Sequence, residues 1–284
     1  MERLNFKNIP FMNDFTVAIY CYIDDFLKLS NHKQENKKRK MSDAEIITTA
    51  LISAFYFGGN YRCGLHYMQS HQGVQKLDKS NFSRCLNRLD TVIENFFQSV
   101  GQFNKEKTKD KIFLVDSFPV SVCKNIRIQR SKIVKGEIYR GKCASKREYF
   151  YGYKIHLITN EFGVPVDMYV VKGSYLDATA LQSFSINLPP QSTLIADSGY
   201  TDYLLEDNYK EFEQIELAIV RRKKSLRGDD LYTRLFKKVK RHQIESTFSA
   251  ITRTFSNKIH AINKQGFVLK IALCVIAYTC KLIM

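Results

Sequence analysis

Apolar residues recur along this chain with two different periods, and the change from one to the other falls near residue 110. Before that point the spacing is helical. Phe15, Ile19, Tyr22, Ile23, Phe26 and Leu27 mark the inner face of a first helix. Ser42-Asp43-Ala44-Glu45 has the form of a capping box, and behind it Ala44, Ile47, Leu51, Ala54 and Phe55 make a stripe that Gly58-Gly59 ends. A third helix is predicted from Ser80 or Asn81, with Phe82, Cys85, Leu86, Leu89, Ile93, Phe96 and Phe97 facing inward. Its other face carries Lys79, Arg84, Asn87 and Arg88. These residues suit a helix-turn-helix laid in a major groove, and equally the solvated face of a bundle.

From residue 110 the pattern is that of strands. The apolar run Ile112-Phe113-Leu114-Val115 ends in Asp116. Residues 150–159 alternate, with Tyr151, Tyr153, Ile155 and Leu157 on one face and Lys154, His156 and Ile158 on the other. Asn160-Glu161-Phe162-Gly163 is a turn, and residues 164–172 return antiparallel. Asp177 and Asp202 each read as the N-cap of a short helix. Residues 194–197 form a fourth strand ending in Asp197, and residues 215–220 a fifth. Gly228-Asp229 opens a long helix with Leu231, Leu235, Ile244, Phe248, Ile251 and Phe255 along one stripe.

This order of elements predicts a ribonuclease-H-like α/β domain with a mixed five-stranded sheet over residues 106–284, including a C-terminal helix. A small all-helical domain precedes it over residues 1–105.

Charge narrows the partner. A formal net charge of +16 and a pI near 9.4 point to a polyanion, nucleic acid before an anionic membrane. Much of the charge sits in Lys37-Lys38-Arg39-Lys40 and in residues 117–148. The latter hold Lys124, Arg127, Arg130, Lys132, Lys135, Arg140, Lys142, Lys146 and Arg147 against Glu137 and Glu148. With Tyr139 and Tyr149 interleaved, this long segment is expected to be a loop that contacts DNA phosphates or is simply solvated.

Seven cysteines without a CxxC pair indicate a reduced, intracellular chain, and Cys63, His66, His71 and Cys85 fit no structural zinc spacing. Residues 1–13 are mixed and polar, so no secretory leader is expected. Residues 267–284 are interrupted by Lys270 and Lys281 and predict a packed terminal helix rather than a membrane span. A cytoplasmic protein is expected.

The candidate chemistry lies in three acidic residues. Buried strands that finish in carboxylates are costly unless the charge is compensated. Asp116, Asp197 and Glu245 converging on two Mg²⁺ or Mn²⁺ ions would remove that cost and create a phosphodiester-cleaving centre. Arg241, one helical turn before Glu245, would orient that carboxylate or clamp a phosphate.

Four segments carry a resemblance: Phe113-Leu114-Val115-Asp116-Ser117, Tyr151-Gly152-Tyr153-Lys154-Ile155-His156-Leu157, Ala196-Asp197-Ser198-Gly199-Tyr200 and Arg241-His242-Gln243-Ile244-Glu245-Ser246-Thr247-Phe248. Together they resemble the DDE transposases of bacterial insertion sequences, nearest the IS982 family within the IS4/IS5-like group. The resemblance implies a domain that cuts and rejoins double-stranded DNA at terminal inverted repeats. Asp116, Asp197 and Glu245 would be its acidic triad and metal ligands.

Arg241 matches the arginine of the related YREK signature. Lys238 stands where its tyrosine is expected, and Thr252, beside Arg253, where its lysine is expected. Lys154, His156 and Arg253 join Arg84, Asn87, Arg88, Lys124, Arg127 and Arg130 as expected DNA contacts. A homodimer is expected from a reaction that joins two DNA ends, and a nucleoid-associated location follows from the substrate. Two other outcomes share the sequence features: a nuclease of the same fold without strand transfer, and a catalytically silent DNA-binding protein.

Overall fold

In a computed structural model the chain, described for residues 9–33, 39–143, 147–223, 225–254 and 259–284, forms two compact units. One comprises Met1–Phe96, Arg253–Ile259 and Leu269–Met284; the other comprises Phe97–Thr252 and His260–Val268. The C-terminal helix is therefore shared between them, with its larger part in the first unit.

The first unit is helical throughout its described elements: α1 (Ile9–Leu29), α2 (Asp43–Tyr56), α3 (Tyr61–His71), α4 (Lys79–Arg88), the start of α5 (Asp90–Lys107) and most of α9 (Lys264–Ile283). The capping box on α2 is formed. Glu45 N–H donates to Ser42 Oγ at 3.1 Å, and Ser42 N–H donates to Glu45 Oε2 at 2.6 Å. Ile46, Ile47, Ala50, Leu51 and Ile52 are all buried, because α2 packs against α1, α3 and α4 together.

The predicted third helix is two helices. α4 ends at Arg88, and Asp90 accepts from Thr91 N–H at 2.8 Å at the start of α5. α3 is an unforeseen helix capped by the Asn60 side chain. It carries Cys63, His66 and His71, and no metal-holding group of three or more such residues exists among the described residues. α9 is long and apolar enough to cross a membrane by length and composition, yet Ile271, Val275 and Ala277 are wholly buried. Lys270 and Lys281, the two charges that interrupt its sequence, lie over the rings of Tyr61 and Phe55.

Among its described residues the second unit holds six strands, where five were expected. They are β1 (Ile112–Cys123), β2 (Arg140–Cys143), β3 (Glu148–Asn160), β4 (Pro165–Lys172), β5 (Ser192–Ala196) and β6 (Ile215–Ile219). Their order is β2-β3-β1-β5-β6, and β4 also pairs with β3. β3 runs antiparallel to β1, while β5 and β6 run parallel to it. This mixed sheet with its helices fits a ribonuclease-H-like domain.

The extra strand comes from the basic segment expected to be a loop. β1 continues to Cys123, 3-10 turns span Asn125–Arg130 and Glu137–Tyr139, and β2 pairs with the start of β3. Lys146 lies outside the described residues, as do Lys37 and Lys38.

One face of the sheet buries Phe113, Val115, Ile158, Leu194 and Leu217 with Leu181 of α6 (Asp177–Gln182), and Leu205 of α7 (Tyr203–Phe212) packs against that cluster. α8 (Leu231–Thr254) brings Phe248 to the other face, its ring 4.9 Å from that of Phe118. Thr247 Oγ1 donates to Gly163 O at 3.2 Å, in a turn where Gly163 holds φ +79°.

The predicted stripe of α8 is only half buried. Ile244, Phe248 and Ile251 are enclosed, whereas Leu231 and Leu235 are 72% and 53% exposed. The helix begins at Leu231, because Asp230 accepts from Thr233 N–H and Asp229 is taken up by Lys237 at 2.7 Å. Phe255 lies outside the described residues.

Candidate active site

β1 and β5 pair Val115 with Ala196, so the next residues along these two parallel strands, Asp116 and Asp197, stand side by side. Strand alternation places Asp116 on the face of Leu114 and Phe118, the face that α8 covers. Asp116 accepts from Ser117 N–H at 2.7 Å, and Asp197 from Ser198 N–H at 2.6 Å. These local bonds fix both carboxylates at the C-terminal ends of their apolar runs.

α8 supplies the rest. Arg241 Nη1 donates to Asp197 Oδ1 at 3.0 Å, and Nη2 donates to Glu245 Oε1 at 3.5 Å. The i, i+4 spacing on α8 explains the second contact, and docking of the helix on the sheet explains the first. Burial pushes the Asp116 carboxyl up to about 6. The Ser117 N–H and Arg241 oppose the rise, while the charges of Asp197 and Asp177 add to it. Asp116 thus lies within electrostatic reach of Asp197 and Arg241, and Arg241 links Asp197 to Glu245.

A family model for the transposase DDE domain matches residues 106–261, more than half of the chain, and takes in all three carboxylates. The chain belongs to the DDE transposase family. Neither the curated proteins nor the solved structures give a significant match. As a DDE transposase it is an enzyme whose partner is DNA, and domains of this kind are generally dependent on a divalent metal.

The donor set of this transposase suits such a cation, since carboxylate oxygens are hard ligands. Among the described residues, no three His, Cys, Asp or Glu side chains converge closely enough to hold an ion in this arrangement. The Arg241 guanidinium is bonded to two of the three carboxylates.

Two expected DNA contacts of the transposase lie elsewhere than the sequence suggested. His156 is 0% exposed, its Nδ1 2.7 Å from the Tyr200 hydroxyl, so it touches no DNA from this position. Burial pushes its imidazole down to about 4, which leaves it neutral. Lys154 turns inward as well, donating to Asp177 Oδ1 at 3.1 Å and Tyr175 O at 2.9 Å. Lys124, Arg127 and Arg130 flank or lie on one 3-10 turn and are exposed. Arg84 and Arg88 are exposed on α4, Asn87 is half-buried between them, and Arg253 is exposed at the end of α8.

Asp202 caps α7 as predicted, accepting from Leu205 N–H at 3.1 Å. Asp177 does not cap α6. Leu176 is the N-cap residue and makes no side-chain cap bond, and the Asp177 carboxylate is given to Ser117 and Lys154. An aspartate before Ala-Thr-Ala is a cap by local rules, so only the tertiary contacts reveal its other use. Arg222 was also missed: it follows β6, is exposed, and reaches Ser198 Oγ beside Asp197 at 3.3 Å.

Proposed function

We propose that this protein is the transposase of a bacterial insertion sequence of the IS982 type, acting on double-stranded DNA at the element's terminal inverted repeats. The observation that carries the reading is the adjacency of Asp116 and Asp197 on paired parallel strands, with Arg241 linking Asp197 to Glu245. That arrangement joins residues far apart in sequence at one edge of the sheet, and it accords with family membership.

Asp116, Asp197 and Glu245 would hold two Mg²⁺ or Mn²⁺ ions, which when bound supply an activated hydroxyl or water and neutralise charge at the phosphate. The protein's own residues prepare that site. Asp116, with its carboxyl near 6, is mostly ionised at neutral pH despite its enclosure. Arg241 offsets part of the negative charge of the acidic edge, and its planar fork fits the non-bridging oxygens of a phosphate once the carboxylates are engaged elsewhere.

Lys124, Arg127 and Arg130 neutralise backbone phosphates without reading sequence. Residues 1–105 act as the end-binding domain, with Arg84, Asn87 and Arg88 of α4 toward base edges, and residues 106–284 carry the chemistry. Arg253 supplies a further phosphate contact in place of the absent YREK lysine. Two DNA ends are held by a homodimer, in the cytoplasm at the nucleoid.

The test is a cleavage and strand-transfer assay on labelled DNA from the element's own ends, with Mg²⁺ or Mn²⁺, comparing the protein with Glu245→Gln. Nicks at the repeat boundary and joined products, both lost in the variant, are the expected result. Hydrolysis without joining would make the protein a nuclease of the same fold. Binding without cutting in either metal would make it a silent DNA-binding protein.

A further inference from the structure

Behind the acidic edge lies a second cluster that the triad does not use. Ser117 follows Asp116 on β1, so strand alternation turns its side chain to the opposite face of the sheet. There Ser117 Oγ donates to Asp177 Oδ1 at 3.0 Å. Lys154 and His156 share that face, because β1 and β3 pair Ser117 with His156 and Pro119 with Lys154. Lys154 Nζ donates to the same Asp177 oxygen, and His156 Nε2 lies 3.8 Å from it. The other carboxylate oxygen meets the turn that follows Asp197: a Cβ added to Gly199 would stand 3.0 Å from Asp177 Oδ2. One residue further on, Tyr200 is buried with its hydroxyl on His156.

Asp177 therefore touches the segment that carries Asp116, the turn that carries Asp197, and the strand between them and β4. A carboxylate that served only as a helix cap would make none of these contacts.

We propose that Asp177 is a positioning residue of this reaction: it ties the Asp116 strand and the Asp197 turn together from the reverse face of the sheet and keeps the Lys154 ammonium away from the catalytic carboxylates. The proposal rests on the reading of Asp116, Asp197 and Glu245 as the cation-holding triad. Lys154 lies on the neighbouring strand β3 opposite Pro119, and its ammonium is held by Asp177 and the Tyr175 carbonyl. An ammonium drawn to the triad carboxylates competes with the divalent cation for them. Asp177 engages it at 3.1 Å and leaves the triad available.

The experiment uses the full chain and the variants Asp177→Asn, Asp177→Asn/Lys154→Met and Ser117→Ala. Mn²⁺ affinity is read by electron paramagnetic resonance without DNA. Single-turnover cutting of element-end DNA is read against Mn²⁺ concentration, and thermal melts report folding. Asp177→Asn keeps an acceptor for Ser117 and loses the charge. It is expected to weaken Mn²⁺ binding and slow cutting by roughly tenfold to a hundredfold, the range for groups that support metal ligands. Affinity for the DNA end should stay unchanged. Adding Lys154→Met should restore most of the loss.

Wild-type Mn²⁺ affinity in Asp177→Asn overturns the proposal. So does a double variant as impaired as Asp177→Asn, which would leave Lys154 no part in the loss. Should Asp177→Asn melt below the assay temperature, Ser117→Ala reports the same link, and unchanged Mn²⁺ affinity there overturns it. If the wild-type protein cuts nothing, the proposed function fails while the Mn²⁺ measurements still decide Asp177. A protein that neither cuts nor binds Mn²⁺ overturns both.

Discussion

Arg241 joins two carboxylates from different elements, Asp197 at 3.0 Å across the sheet edge and Glu245 at 3.5 Å along its own helix. Removing the guanidinium takes away the cation shared by Asp197 and Glu245 and removes the fork that would meet a phosphate. Arg241→Ala is expected to slow cutting on the order of 100-fold, the scale for a lost charge-stabilising donor. These pairs are partly exposed, so the melting behaviour should change little, by about 1 kcal/mol or less. Rate and melt measured together check this, and an unchanged rate would remove Arg241 from the reaction.

Asp116 and His156 make opposite demands on pH. The Asp116 carboxyl rises from 3.8 to about 6, so its contribution to stability is present below pH 3.8 and is lost as pH rises through 6. The His156 imidazole falls from 6.5 to about 4, so its contribution is present above pH 6.5 and is lost as pH falls through 4. Each is worth up to about 3 kcal/mol. Relative to wild type, metal-free Asp116→Asn should gain stability from pH 4 to 6, and His156→Gln should lose it from pH 4 to 6.5. Urea denaturation across that range checks both signs, and parallel curves for the three proteins would contradict the assignment.

Gly101, in the part of α5 that belongs to the sheet unit, lies against β4. A Cβ there would stand 2.2 Å from Val166 O, a backbone atom that cannot swing away. Gly101→Ala is expected to destabilise the protein by about 1–3 kcal/mol through overpacking, although alanine is the better helix former. A denaturant midpoint equal to wild type would show that α5 does not approach the strand this closely.

The exposed cations should separate by what they read. Replacing Lys124, Arg127 and Arg130 with alanine should weaken binding to any DNA and lower the slope of log affinity against log salt by about 3, at about 0.9 per phosphate contact. Arg84→Ala/Arg88→Ala should instead weaken binding to element ends more than to unrelated DNA, with cutting of pre-bound ends less affected. Binding titrations at several salt concentrations decide. Unchanged end binding in the second variant would take recognition away from α4.

The sequence by itself determined the mixed α/β class of the second unit and the ends of its apolar strand runs. Strand alternation, the capping box at Ser42 and apolar runs ending at Asp116 and Asp197 are local patterns, and backbone geometry enforces them wherever they occur. The basic segment was harder to read, because β2 pairs with β3 through backbone bonds that its charged sequence does not advertise. α8 misled for the opposite reason: Leu231 and Leu235 continue the helical period, but no partner among the described residues covers them, and burial depends on the neighbour.

Tertiary structure alone decided three things at the site. It gave Arg241 to Asp197 as well as Glu245, enclosed His156 against Tyr200, and took Asp177 from its cap to Ser117 and Lys154. The physical reason is common to all three. A polar side chain can satisfy itself locally or across the fold, and which it does depends on which partners packing brings within reach.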